Sequence, residues 1–96
     1  MKRARLLKPA ENEMIDAMFY YEHQAEGLGS DFIDRIGEAV SPIEKNPEAY
    51  PKISNDVRRC LVRQFPFALL YKVGSNELLI LAVMHLKRKP SYWIGR

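Results

Sequence analysis

The run Leu78-Leu79-Ile80-Leu81-Ala82-Val83-Met84, closed by His85, leaves this chain few ways to fold. It is far shorter than the roughly 20 residues that a membrane span requires. As a strand it is apolar on both faces, with Leu78, Ile80, Ala82 and Met84 on one and Leu79, Leu81, Val83 and His85 on the other. A strand of this kind belongs inside a sheet, covered on both sides. Its neighbours follow from the sequence before it. Phe67 to Val73 alternates Phe67, Leu69, Tyr71 and Val73 against Ala68, Leu70 and Lys72, and Gly74-Ser75-Asn76-Glu77 makes a hairpin into the apolar run. Val57 to Phe65 is rich in β formers and supplies a third strand.

The N-terminal half has helical spacing. Arg3 to Lys8 is a short strand candidate, and Pro9 suits the first turn of a helix, where its missing N–H costs nothing. Ala10, Met14, Ala17, Met18, Tyr21 and Ala25 then form one apolar stripe that should end at Gly27-Leu28-Gly29. Ser30 is the expected N-cap of a second helix, with Phe32, Ile33, Ile36, Ala39, Val40 and Ile43 on its buried side. Pro42 should kink that helix at Ser41 or restart it there. Residues 47–55, with Pro47, Pro51 and Asn55, read as a loop. The expectation is one α+β domain over residues 1–96, two N-terminal helices packed on a small, mostly antiparallel sheet in the order β-α-α-β-β-β. Two helices cover one face of the sheet. The other then needs the C-terminal tail, a partner chain or a second copy in a homodimer.

Charge divides the chain. Residues 1–50 carry six Lys or Arg against ten Asp or Glu, whereas residues 51–96 carry nine against two. Such asymmetry favours an anionic partner on the basic side. Cys60 is the single cysteine, which excludes an internal disulfide and a cysteine metal cluster, and it reads as a small hydrophobe on a strand. His23 and His85 are too far apart in sequence for a metal motif, and no cofactor is expected. Lys8-Pro9 and Glu11 arrive before any signal h-region can form after Met1-Lys2-Arg3-Ala4-Arg5, so the chain reads as cytoplasmic, with no membrane partner.

The stretch Val57-Arg58-Arg59-Cys60-Leu61-Val62-Arg63-Gln64-Phe65-Pro66-Phe67, then Leu70-Tyr71, Ala82-Val83-Met84-His85 and Arg88-Lys89-Pro90-Ser91-Tyr92-Trp93, resembles the RelE/ParE superfamily of toxins from bacterial toxin–antitoxin operons. The resemblance covers nearly the whole chain. It is nearer to the ParE branch, often labelled plasmid stabilisation proteins, and so implies inhibition of DNA gyrase by trapping its cleaved-DNA state. The RelE branch instead cleaves messenger RNA on the ribosome. Both branches imply a small cognate antitoxin as partner, and a degenerate, non-toxic relative would keep that partner alone.

The RelE alternative assigns roles residue by residue. Cleavage through a ribose 2′-OH needs a base, cations to hold the charged phosphorane and an acid for the leaving oxygen. The resemblance places Arg63 at a phosphate-binding arginine, Lys87 near a second catalytic arginine and Tyr92 or Trp93 near a terminal tyrosine, with His85 as base or acid. Lysine in place of arginine, and Lys52 alone in a normally lysine-rich segment, depart from that branch. For a binding toxin the expected contact set is Arg58, Arg59, Arg63, Lys87, Arg88, Lys89 and Trp93. Each residue also has a plain structural role open to it. His85 ends an apolar strand, at least one of Arg58, Arg59 and Arg63 should be solvated or helix-facing, and Trp93 reads first as packing on the sheet.

Overall fold

A computed structural model describes residues 2–89 and 91–96; Met1 and Pro90, the latter part of the expected cationic–aromatic end, lie outside the described residues. The elements are β1 (Arg3–Leu6), α1 (Lys8–Gln24), α2 (Leu28–Lys45), a 3-10 turn (Pro47–Ala49), β2 (Lys52–Ser54), β3 (Val57–Leu61), β4 (Phe67–Val73) and β5 (Glu77–His85). They form an α+β fold whose sheet runs β1-β5-β4-β3-β2, with β1 parallel to β5 and the other pairs antiparallel. The expected β-α-α-β-β-β order is present. One strand was not foreseen: β2 lies within the 47–55 segment that reads as a loop. β5, the doubly apolar run, sits between β1 and β4, covered as its composition demands. Among the described residues no helix is long and apolar enough to cross a membrane.

The helix boundaries correct several expectations. α1 ends at Gln24, and α2 begins at Leu28 after Gly27, whose φ of 86° suits a residue without a Cβ. Ser30 therefore lies inside the first turn and is not the N-cap. The capping acceptor comes from α1 instead: the Glu22 carboxylate accepts the N–H groups of Gly27 (3.0 Å) and Gly29 (2.9 Å). Gly29 is also a point of close approach between the two helices, since a Cβ there would stand 2.7 Å from the Met18 carbonyl oxygen. Of the two outcomes expected at Pro42, a restart does not occur, since α2 is continuous to Lys45. Pro42 falls in the last turn and gives up one intrahelical bond, its own to the Glu38 carbonyl, while its carbonyl still accepts the Asn46 N–H.

The helix-facing core joins Ala10 of α1 and Phe32, Ile36, Ala39 and Ile43 of α2 to the sheet. Ile33 and Val40 are only partly buried at its margin. Aromatic rings fill the end of this layer. Phe65 and Phe67, either side of Pro66, contact Tyr21 and Phe32 at centroid distances of 4.7 to 6.2 Å. The turn that holds them ends β3 at Leu61, short of the expected Phe65, and places Gln64 at φ 76°. Cys60 is buried in the same layer, as a space-filling hydrophobe should be.

β5 departs from strict alternation. Tyr71 pairs with Ile80 and Leu70 with Ala82, so Leu81 is an extra residue, a β-bulge. Leu78, Ile80 and Val83 join the helix-facing core, while Leu81, Ala82 and Met84 join the cluster on the opposite face. The faces expected from alternation are thus exchanged beyond the bulge, and His85 turns toward α1. On the second face Trp93, 7% exposed, packs with Val57, Leu70, Leu81 and Met84. Of the covers expected for that face, the chain's own C-terminal segment supplies one.

Candidate functional site

The end of β5 and the turn after it carry the residues expected to act. The turn is tied down by its backbone: Leu86 N–H donates to the Pro66 carbonyl (2.9 Å) and Arg88 N–H to that of His85 (3.0 Å). His85 packs edge-on to Phe67 (5.1 Å, 76°), and its Nδ1 accepts the Lys87 N–H at 3.1 Å. That bond assigns the neutral ring's proton to Nε2. His85 and Tyr92 do come together, in a cavity of about 200 Å³ shared with Arg88 and with Glu13 and Asp16 of α1. Arg88 there faces two carboxylates, one of them, Glu13, paired with Arg96, so the cavity holds no excess of positive charge for a scissile phosphate. Arg88 lies 4.1 Å from the Tyr92 ring centroid and Arg96 4.8 Å. The Tyr92 hydroxyl is shut from solvent with no hydrogen-bond partner among the described residues. Burial, and then the Glu13 carboxylate, push its pKa well above the usual tyrosine value.

Arg63 is elsewhere. It follows β3, two strands from β5, and donates through Nε to Glu38 Oε1 (2.8 Å) and through Nη2 to Glu38 Oε2 (3.2 Å). Arg35 reaches the same carboxylate from its own helix. These guanidiniums, Arg63 foremost, hold the Glu38 pKa below the ordinary glutamate range. Val62, Phe67 and His85 are successive neighbours across the sheet, so the residue before Arg63 lies two strand spacings, about 10 Å of backbone, from His85. Lys87 is exposed and lines neither the His85 cavity nor the Arg63 pocket. The set Arg63, His85, Lys87 and Tyr92 does not converge on one point.

The expected contact residues also divide. Arg58 donates to the carbonyls of Tyr50 (2.7 Å) and Glu48 (3.2 Å), fastening the segment ahead of β2. Tyr71 fastens the same segment by donating its hydroxyl to the Pro47 carbonyl, and burial pushes its pKa up to about 12. Trp93 is core. Lys87, Arg88 and Lys89 are exposed in sequence on the turn, and Arg59 is exposed on β3. Arg59 and Arg88 both line a groove of about 650 Å³ on the second sheet face. Ile53, Leu61, Leu86 and Ile94, between 40% and 66% exposed, line this groove, and no acidic side chain does. Arg35, Glu38 and Glu13 were not marked by sequence reasoning. The i, i+3 spacing of Arg35 and Glu38 is a signal that could have marked a local pair, but nothing local announces Arg63 as a third member. Among the described residues no group of three His, Cys, Asp or Glu side chains is placed to hold a metal ion.

A sequence profile described as "ParE toxin of type II toxin-antitoxin system, parDE" matches residues 4–90. No curated protein matches the chain by sequence. Among solved structures, one titled "Chromosomal ParDE TA system from P. aeruginosa" superposes with a TM-score of 0.74 at 20% identity, covering 91% of this chain and 98% of that one. At that identity the structural match establishes the fold alone.

Proposed function

The chain belongs to the ParE toxin family of type II toxin–antitoxin systems, and from that premise we propose that it arrests growth by binding DNA gyrase and holding its cleaved-DNA state, with no bond-breaking chemistry of its own. The observation that carries this reading over messenger-RNA cleavage is the dispersal of the nuclease set. Arg63 is engaged by Glu38 beside α2, while His85 and Tyr92 lie next to Glu13 and Asp16. A phosphorane needs cations preorganised around it, whereas Arg63 is engaged by Glu38 and Arg88 in the His85 cavity is offset by the carboxylates there.

A binding toxin needs only a surface. Arg59 and Arg88 line an apolar groove, Lys87 and Lys89 are exposed on either side of Arg88 in sequence, and a gyrase–DNA complex is a polyanion that such a cluster would steer and orient. We assign target contact to these four and a structural role to Arg58 and Trp93. A cognate antitoxin would silence the protein by covering the same groove, whose apolar lining and positive rim invite an acidic partner.

Induced expression tests the reading in cells. Growth should stop, and detergent lysis should release plasmid DNA linearised by trapped gyrase. Growth arrest with intact supercoiled plasmid and cleaved messenger RNA would refute it in favour of the ribosome.

A further inference from the structure

We propose that the chain associates head to tail with further copies of itself, the outer ridge of α1 on one copy seating in the second-face groove of the next. The association is read from two surfaces of one molecule, and only its consequence for toxicity rests on the function proposed above.

The ridge breaks a rule of helix composition. α1 buries Ala10 against the sheet, with Met14, Ala17, Met18 and Tyr21 packed beside it. The opposite side of such a helix is ordinarily polar. Here Phe19 is 55% exposed and Ile15, one turn earlier, 37%. Residues three and four apart are neighbours on a helix, so Phe19 is bordered by Ile15 and Asp16 one turn before it and by Glu22 and His23 one turn after. Neither Asp16 nor Glu22 forms an ion pair among the described residues, whereas Glu11 is offset by Lys8 at 3.1 Å. The ridge is an apolar pair with a negative border.

The groove is its complement. Met84, Trp93, Leu86 and Ile94 give it an apolar lining, Arg59 and Arg88 give it charge, and no carboxylate lines it. Neither guanidinium forms an ion pair among the described residues. A helix laid in a groove is held by apolar anchors one turn apart, the spacing of Ile15 and Phe19. Within one copy the two surfaces cannot meet, because α1 packs on the helix side of the sheet and the groove lies on the other face.

Charge then selects the arrangement. Ridge on ridge sets carboxylate against carboxylate, and groove on groove sets arginine against arginine, so a two-fold dimer through either surface is opposed. Ridge in groove satisfies both. A foreign cationic protein would suit the ridge alone; a second copy suits the ridge and fills a groove that itself calls for an acidic cover. Such a contact leaves a free ridge at one end and a free groove at the other, and it extends or closes into a ring. One helix in one groove is smaller than the roughly 800 Å² per partner of a standard interface, so the assembly is weak and concentration-dependent. Concentrated toxin would thus cover Arg59 and Arg88 in most copies and uncover them on dilution.

Sedimentation velocity on the full chain tests this. The average mass should rise with concentration and fall back in about 0.5 M salt, where charges are screened within about 5 Å. Two variants decide the geometry. Phe19→Ser with Asp16→Lys removes the ridge, and Arg59→Glu with Arg88→Glu removes the groove; each should weaken self-association about tenfold or more. Mixed, the two should form a one-to-one dimer that grows no further, because each supplies the surface that the other lacks. A wild-type chain that stays monomeric at about millimolar concentration, or association that strengthens with salt, would overturn the proposal whatever the variants do. Either variant assembling alone as the wild type does would overturn it too, as would folded variants that stay apart when mixed. Gyrase plays no part in these measurements: an assembling chain inert toward gyrase removes the toxin reading alone, and a monomer that blocks gyrase removes the association alone.

Discussion

Glu13 and Arg96 meet at 2.8 Å beside the part of β5 that β1 does not reach, and together they complete its hydrogen bonding. β1 stops at Leu6 opposite Ile80. Past that point Glu13 Oε1 accepts the Val83 N–H (3.1 Å), and Arg96 Nη1 donates to the Leu81 carbonyl (3.2 Å). A pair of side chains from α1 and the C-terminal segment thus continues the sheet where the bulge and the end of β1 would leave buried backbone unpaired.

Breaking this pair should loosen the second face. Arg96→Ala strands a carboxylate whose side chain is 17% exposed. It should lower stability by about 1–3 kcal/mol. Urea unfolding measures the loss, and faster exchange of the Leu81 and Val83 amides would localise it.

Trp93 separates packing from contact. At 7% exposed it is core, so Trp93→Ala should destabilise the fold by about 3–5 kcal/mol. Trp93→Phe, which keeps most of the apolar bulk, should retain growth arrest. Loss of arrest with wild-type stability would instead make Trp93 a contact residue.

Acid should unfold the protein through its glutamates. The Gly27 N–H, then that of Gly29, hold the Glu22 pKa below the ordinary glutamate value, and Arg63 and Arg5 do the same for Glu38 and Glu77. A depressed folded-state pKa contributes stability that is present above the unfolded pKa, near 4.3, and lost as pH falls through the folded value. Urea midpoints should therefore hold steady from about pH 7 to 5 and fall below that. Glu22→Gln should flatten the acid limb.

Much of this fold was legible because period and composition agree. The α2 stripe Phe32, Ile36, Ala39 and Ile43 is buried as spaced, and the β4–β5 hairpin lies where Gly74 to Glu77 put it. β2 was not legible. Three residues framed by Pro51 and Asn55 carry no period, and its pairing is imposed by β3. The bulge at Leu81 was hidden for a related reason: in a strand apolar on both faces, a one-residue slip changes no chemistry that the sequence displays. The candidate site was harder still. Arg63, His85, Lys87 and Tyr92 are each the right type for RNA cleavage, but types do not reveal that Glu38, 25 positions before Arg63, already holds its guanidinium.

Cys60 should be inert in the native state. Burial pushes its thiol pKa up, only partly opposed by Tyr50, and the residue is 5% exposed. A thiol-reactive dye at mild alkaline pH should label it only on unfolding, and fast labelling of the folded chain would contradict its place in the core.

Gyrase supercoiling with purified components tests the central claim most directly. The wild-type chain should block supercoiling in a dose-dependent way. Arg63→Ala with His85→Ala should block it equally, because neither side chain is asked to do chemistry. Charge reversal by Lys87→Glu with Arg88→Glu should abolish the effect. Gyrase untouched across a broad titration of wild-type protein, or inhibition lost in the Arg63 and His85 variant while the charge-reversed chain stays active, would contradict the account.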